Sequence, residues 1–268
     1  MTVADDQLAA GLAEQAGRRL LALRARGGDP GVVRDAGDQL SHEFLMTELA
    51  RARPDDAVLS EEGVDSPARL SAPRVWIIDP LDGTREFGEP GRADWAVHVA
   101  LWDRGELTAG AVALPAQGRV LSTAEPPDSV PEPPGDPLRL LVSRSRPPAF
   151  MHRLAADLGA ELVPMGSAGA KAAAVISGEA AAYVHSGGQY EWDSAAPVAV
   201  ARAAGLHASR IDGSRLRYNQ VHPSVPDILI CPAGLAPTLL AAIGSIQQEA
   251  GTWSDRAEQP LSSDPELC

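Results

Sequence analysis

In the stretch Arg74-Val75-Trp76-Ile77-Ile78-Asp79-Pro80-Leu81-Asp82-Gly83-Thr84-Arg85-Glu86-Phe87, an apolar run leads straight into two carboxylates three residues apart, a glycine and a threonine. Asp79 and Asp82 offer hard oxygen ligands suited to a divalent cation. Pro80 has no N–H to give a ladder, so the chain is expected to turn there, at the strand's end. Gly83 allows close backbone approach, and Thr84 opens a helical turn whose free N–H groups would face an anion. Taken alone, Asp-Pro and Asp-Gly are also ordinary turn dipeptides. Two sharper readings fail on spacing. The string lacks the alternating acids and closing glutamate of an EF-hand loop, and Gly166-Ser167-Ala168-Gly169-Ala170-Lys171-Ala172 has alanine on both sides of its lysine, where a P-loop needs Gly-Lys-Ser/Thr.

Two further acidic segments point to the same chemistry. Ser60-Glu61-Glu62 follows the short apolar run Ala57-Val58-Leu59, so it too presents carboxylates at a strand's end, although adjacent acids on a loop are commonly just solvated. In Glu191-Trp192-Asp193-Ser194-Ala195-Ala196 an acid precedes a small-residue helix, and Asp193 is placed to cap it.

The elements that must position these groups follow from periodicity. Leu8, Leu12, Ala16, Leu20 and Leu23 recur at helical spacing up to Arg26, where Gly27-Gly28-Asp29-Pro30 stops the pattern; a second helix is expected from about Asp38 to Arg53. Short strands are expected over 57–59, 75–78, 96–102, 110–114 and 120–122. Residues 125–137 are crowded with proline and read as an exposed excursion. Beyond it, strands (138–142, 162–165, 181–184, 228–230) alternate with helices (148–158, 168–177, 194–204, 235–246), the pattern of a partly parallel sheet covered by helices. The expected organisation is an N-terminal α+β part over residues 1–137 carrying Glu61 and the Asp79–Asp82 motif, a C-terminal α/β part over 138–250 carrying Trp192-Asp193, and a flexible tail over 251–268.

The 268 residues carry 23 Lys+Arg against 36 Asp+Glu, a formal net charge of −13, with 44% hydrophobic residues. Such an acidic chain repels nucleic-acid backbones and anionic membranes, so neither is an expected partner. A small anionic ligand would need a metal or local cations to offset the repulsion. Cys231 and Cys268 are too few for a disulfide framework or a cysteine zinc site. No apolar run approaches the roughly 20 residues of a membrane span, and the first residues do not read as a signal peptide, so the expected location is cytoplasmic.

The ordered set Ser-Glu-Glu, Asp-Pro-Leu-Asp-Gly-Thr-Arg-Glu-Phe and Trp-Asp-Ser-Ala-Ala resembles the three signature segments of the inositol monophosphatase superfamily of metal-dependent phosphatases. The Thr84-Arg85-Glu86-Phe87 ending is most similar to the CysQ-like branch, the 3′(2′),5′-bisphosphate nucleotidases of actinobacterial type. The resemblance implies an αβαβα sandwich and two or three magnesium ions held by Glu61, Asp79, the Leu81 carbonyl, Asp82 and Asp193. It implies catalysis by Thr84, oriented by Asp38 and aligning the attacking water, with Glu61 also counted among the catalytic residues. It further implies substrate contacts from Gly83, Thr84, Arg146, Ser167, Lys171 and His185, although the lysine comes one residue later than is usual and His185 stands where an arginine is often found. The reaction implied is removal of the 3′-phosphate from 3′-phosphoadenosine 5′-phosphate, with the sulfated analogue as a second substrate and sensitivity to lithium. The alternatives are an inositol or fructose bisphosphate phosphatase on the same scaffold and, from another class, a non-catalytic metal or nucleotide sensor. The expected partner is a phosphorylated small molecule, and a homodimer is among the open oligomeric states.

Overall fold

A computed structural model of the chain describes residues 4–127, 130 and 137–250; the tail expected over 251–268 and most of the proline-rich excursion lie outside the described residues. Alternation along one strand sets the architecture. β2 (Arg74–Asp82) sends Trp76 and Ile78 to one face and Val75 and Ile77 to the other, all fully buried, as the two-residue period of a strand covered on both sides requires. It lies second in a five-stranded sheet ordered β1 (Ala57–Ser60), β2, β3 (Ala96–Asp103), β4 (Glu106–Leu114) and β5 (Arg119–Ser122). Only the β1–β2 pair is parallel.

The face bearing Trp76 and Ile78 packs on α1 (Asp5–Arg24) and α2 (Pro30–Ala52) through Leu12, Ala16, Leu20, Leu45 and Leu49. Each fully buried leucine contributes roughly 1.5–3 kcal/mol of transfer free energy. The opposite face packs on α5 (Ala168–Ile176) and α6 (Glu191–Ala203), whose rows of alanine and valine form a middle layer. A second sheet closes that layer, ordered β7 (Glu161–Met165), β6 (Arg139–Ser143), β8 (Ala182–Tyr190), β10 (Ser224–Cys231) and β9 (His207–Ser209). Its strands are mixed, with β6 parallel to β7 and β8 and β10 antiparallel to β8 and β9. α4 (Met151–Leu158) and α7 (Ala236–Ala250) cover the outside through Leu154, Leu239 and Ile243. The result is the layered αβαβα arrangement.

Three local expectations are corrected. α2 begins eight residues before Asp38, because Asp29 accepts from Gly31 N (2.8 Å) and Val32 N (3.2 Å) and Pro30 fits the first helical turn. The segment that ends α1 therefore also starts α2, and Asp38 sits within the helix. The chain does not turn at Pro80. β2 runs on to Asp82 through a bulge against β3 between Asp79 and Asp82, where a missing N–H breaks no ladder bond. Asp193 is not the N-cap of α6; it is the third helical residue and accepts back from Tyr190 N at 2.6 Å.

Candidate active site

Parallel pairing explains how two distant acids meet. Ser60 is registered with Ile78, and Glu61 N donates to Ile78 O at 3.4 Å, so Glu61 leaves β1 beside Asp79 of β2. Asp79 has the same parity along β2 as Val75 and Ile77, which face the middle layer, and α6 brings Asp193 there from the other half of the chain. Carboxylate oxygens of Asp79, Asp82 and Asp193 lie within 4.8 Å of one another. Glu61, Leu81 and these three residues line one cavity of about 200 Å³.

Asp79 and Asp82 are each held by one oxygen. Asp79 Oδ1 accepts from Leu81 N at 3.0 Å, whereas its Oδ2 is buried without a hydrogen-bond partner. Asp82 Oδ2 accepts from Ser167 Oγ (2.5 Å) and Gly169 N (2.7 Å) and lies 3.1 Å from His98 Nε2. Burial and the neighbouring acids push Asp79 and Glu61 well above the usual carboxylate range, and burial together with Asp82 raises Asp193 to about 6. Asp82 moves the other way: burial would raise it, but His98, Lys171 and Ser167 hold it down to about 2. A buried carboxylate oxygen with no partner costs free energy unless a cation meets it. Oxygen-only donors in a tight cluster suit magnesium, so Glu61, Asp79, Leu81 O, Asp82 and Asp193 fit that ion.

Gly83 makes the turn out of β2 with φ of 86°, and a side chain there would press on the Asp94 carbonyl and Ser167. The turn delivers Thr84 to the start of α3 (Thr84–Gly88). Its hydroxyl lies 3.0 Å from Leu81 O and 3.3 Å from Asp38 Oδ1. Asp38 reaches it from α2, a half-buried acid raised to about 7 by burial and by Glu62.

The inositol monophosphatase family profile matches residues 7–128 and 138–248. The chain belongs to the inositol monophosphatase family. It is 55% identical over 237 residues to a Mycobacterium tuberculosis protein named 3′-phosphoadenosine 5′-phosphate phosphatase, spanning 85% of this chain and 89% of the relative. A Mycobacterium leprae protein of the same name is 51% identical over 257 residues, 91% of this chain and 95% of the relative. Among solved structures, CysQ from Bacteroides thetaiotaomicron superimposes with a TM-score of 0.70 at 25% identity, covering 84% of this chain and 96% of that one.

In this inositol monophosphatase family member the expected substrate contacts divide into two groups. Arg146 lines the cavity with an exposed side chain and no ion pair among the described residues. His185 also lines it, with Nε2 2.8 Å from Gly187 O and a buried Nδ1 without a partner; burial lowers its pKa to about 4, so the ring is neutral. Ser167 and Lys171 are committed elsewhere. The Ser167 hydroxyl holds Asp82 and caps α5 by accepting from Ala170 N at 2.9 Å. Lys171 is 4% exposed and donates to Met165 O, Gly166 O and Ser167 O at 3.3, 3.1 and 2.7 Å. A lysine four residues after Ser167 folds its ammonium back over the helix start, so its field acts on Asp82 while its N–H groups hold the turn. Two residues beyond the motifs shape the site: Ser41 donates to Pro80 O at 2.7 Å and fixes the bulge, and His98 stands among the carboxylates. The signal for His98 was its place between Ala96 and Ala100 on the inward parity of an apolar strand. Among the described residues no helix is long and apolar enough to cross a membrane.

Proposed function

We propose that the protein is a magnesium-dependent phosphatase that removes the 3′-phosphate of 3′-phosphoadenosine 5′-phosphate to give AMP and phosphate, with the sulfated analogue as a second substrate. The observation that carries the reaction class is the pairing of a threonine hydroxyl and a half-buried carboxylate, Thr84 and Asp38, at the edge of the buried acid cluster. The substrate is supported by the name of the 55% identical mycobacterial relative.

Magnesium, when bound, offsets the charge of the phosphoryl oxygens and acidifies water in its shell. The chain's own residues do the rest. Asp38 accepts from the Thr84 hydroxyl, which turns the hydroxyl's lone pairs toward the water that attacks phosphorus. With a pKa near neutrality, Asp38 can take up the proton that passes through Thr84. No side chain needs to be phosphorylated. The remainder of the substrate is met by Arg146, whose guanidinium suits the phosphate that is not cleaved. The expected setting is cytoplasmic.

The test is a phosphate-release assay on 3′-phosphoadenosine 5′-phosphate, its sulfated analogue, inositol 1-phosphate and fructose 1,6-bisphosphate, with magnesium and with chelator. The highest kcat/KM is expected on 3′-phosphoadenosine 5′-phosphate, lost on chelation. A higher value on inositol 1-phosphate would overturn the substrate; turnover unaffected by chelation would overturn the metal.

A further inference from the structure

His98 is a wholly buried polar residue in the middle of β3, in a strand otherwise made of Ala96, Val97, Val99, Ala100 and Leu101. Its neighbours of the same parity, Ala96 and Ala100, belong to the apolar middle layer. A histidine in such a row is costly unless its ring nitrogens find partners. The ring stands between the two sides of the acid cluster, with one nitrogen hydrogen-bonded and the other in contact. Nδ1 is 3.0 Å from the Trp192 carbonyl on α6, one residue before Asp193, and 4.0 Å from Asp79 Oδ2. Nε2 lies against Asp82 Oδ2 at 3.1 Å, a close contact outside hydrogen-bond geometry. A carbonyl accepts only, so Nδ1 carries the proton of that contact.

The space around the ring is cut to fit it. Gly169 on α5 faces Nε2, and a Cβ there would lie 2.2 Å from that nitrogen. The amide of the same glycine donates to the Asp82 oxygen that His98 approaches. Asp82 Oδ2 is thus met by three residues from two elements, His98 of β3 and, on α5, Ser167 at its start and Gly169 within it.

We infer that His98 is a positioning residue for the magnesium site: held by the Trp192 carbonyl through Nδ1 and packed against Asp82 through Nε2, the ring works as a spacer that sets the distance between the carboxylates of the first half and Asp193 of the second. The two halves meet across the cavity, so Asp82 and Asp193 have no covalent constraint on their separation. A ring with one nitrogen toward each side supplies that constraint, and it leaves the second oxygen of Asp82 for the cation. The inference rests on the carboxylates forming a magnesium site.

The experiment is calorimetric titration of magnesium into the metal-free full chain, as wild type, His98→Ala and His98→Gln. Loss of a residue that orients a ligand typically costs about 10- to 100-fold in metal affinity. His98→Ala is expected to weaken magnesium binding in that range and to raise the magnesium concentration needed for half-maximal turnover equally, while kcat at saturating magnesium stays within a few-fold. His98→Gln, whose amide reaches the Nε2 position, should recover much of the affinity. A folded His98→Ala protein that binds magnesium as tightly as wild type overturns the inference, as does a lowered Tm with unchanged affinity. The wild type provides a readout that depends on no variant folding: the ring ¹⁵N resonances of His98 should shift along the magnesium titration, and unmoved resonances overturn the inference. If the wild type binds no magnesium, the metal reading itself fails.

Discussion

Two buried charged regions of this protein are built on opposite rules. Arg69 is 1% exposed and every side of its guanidinium is met: Nε and Nη2 donate to Asp65 at 2.7 and 2.9 Å, Nη1 to Asn219 Oδ1 at 2.7 Å and Nη2 to Gln220 O at 2.9 Å. The chain continues to Glu191, which accepts from Asn219 N and Gln220 N at 2.7 and 2.8 Å. A few residues along α6, the Asp79, Asp82 and Asp193 carboxylates converge with one Asp79 oxygen unpartnered. The first region is closed to further ligands and ties the segment around 65–69 to that around 219–220. The second is held open at a free-energy cost, and a divalent cation is the ligand that removes the cost. Glu191 and Asp193 show that neighbouring acids on one helix can serve both ends.

The largest effect should come from the open region. Asp82→Asn is nearly isosteric but removes one anionic ligand, and turnover should fall by on the order of 10³-fold or more, with far-UV circular dichroism unchanged. Without metal, its Tm should change little compared with the loss of activity. Substantial turnover by the folded variant would break the assignment of the cluster as the metal cradle.

The closed region predicts the reverse phenotype. Arg69→Met leaves the exposed Asp65 to water but the buried Asn219 acceptor and the Gln220 carbonyl unmet, and an unsatisfied buried acceptor costs about 1–3 kcal/mol. Urea unfolding should show that loss, while kcat per folded molecule is retained. Full stability with lost activity would show that the two regions are one functional unit.

Thr84→Ala sharpens the role of the edge of the cradle. The hydroxyl is proposed to act on the attacking water, a contribution realised in the transition state, so kcat should drop by roughly 10²–10³-fold with little change in KM. An unchanged kcat with a large rise in KM would assign Thr84 to ground-state binding.

How much of this could be read from the chain alone differs between the regions for a physical reason. The open site is carried by short segments, since Asp79, Asp82 and Thr84 lie on one strand-turn and Glu61 and Asp193 follow or open single elements; local order and residue type are visible in a sequence. The layers were legible because β2 and α1 repeat apolar residues at their own periods. His98 offers in sequence only its inward parity in an apolar strand, which marks it as buried but not as part of the site, because its meaning arises only when β3, α5 and α6 are packed. The Arg69, Asn219 and Glu191 network was hidden likewise, its members joined across 150 and 28 residues. The periodicity places Asp38 at a helix start because Gly27-Gly28-Asp29-Pro30 reads as a stop, although the same four residues end one helix and cap the next. Lys171 is a substrate contact by resemblance alone, because sequence does not show that three carbonyls engage its ammonium.

The smallest expected effect separates the regions by pH. In the metal-free protein the folded state holds Asp38 at about 7, Asp193 at about 6 and Glu191 at about 7, with Asp79 and Glu61 also raised, all chiefly by burial. Unfolded, these acids titrate at ~4. Between those values the folded state binds more protons than the unfolded one, so stability falls as pH rises from about 4 through 7. Asp82, lowered to about 2, acts in the opposite sense but only at acid pH, its contribution being lost below about 4. The metal-free protein should therefore melt higher at pH 5.5 than at pH 7.5, by on the order of 5 °C. Saturating magnesium binds the ionised cluster and should remove or reverse that difference. Glu191→Gln then divides the effect between the regions: it removes only the closed region's share, so the magnesium-reversible part of the pH dependence should survive. If the whole dependence disappears with Glu191→Gln, the pH response belongs to the closed region and the open cluster does not titrate as its crowding requires.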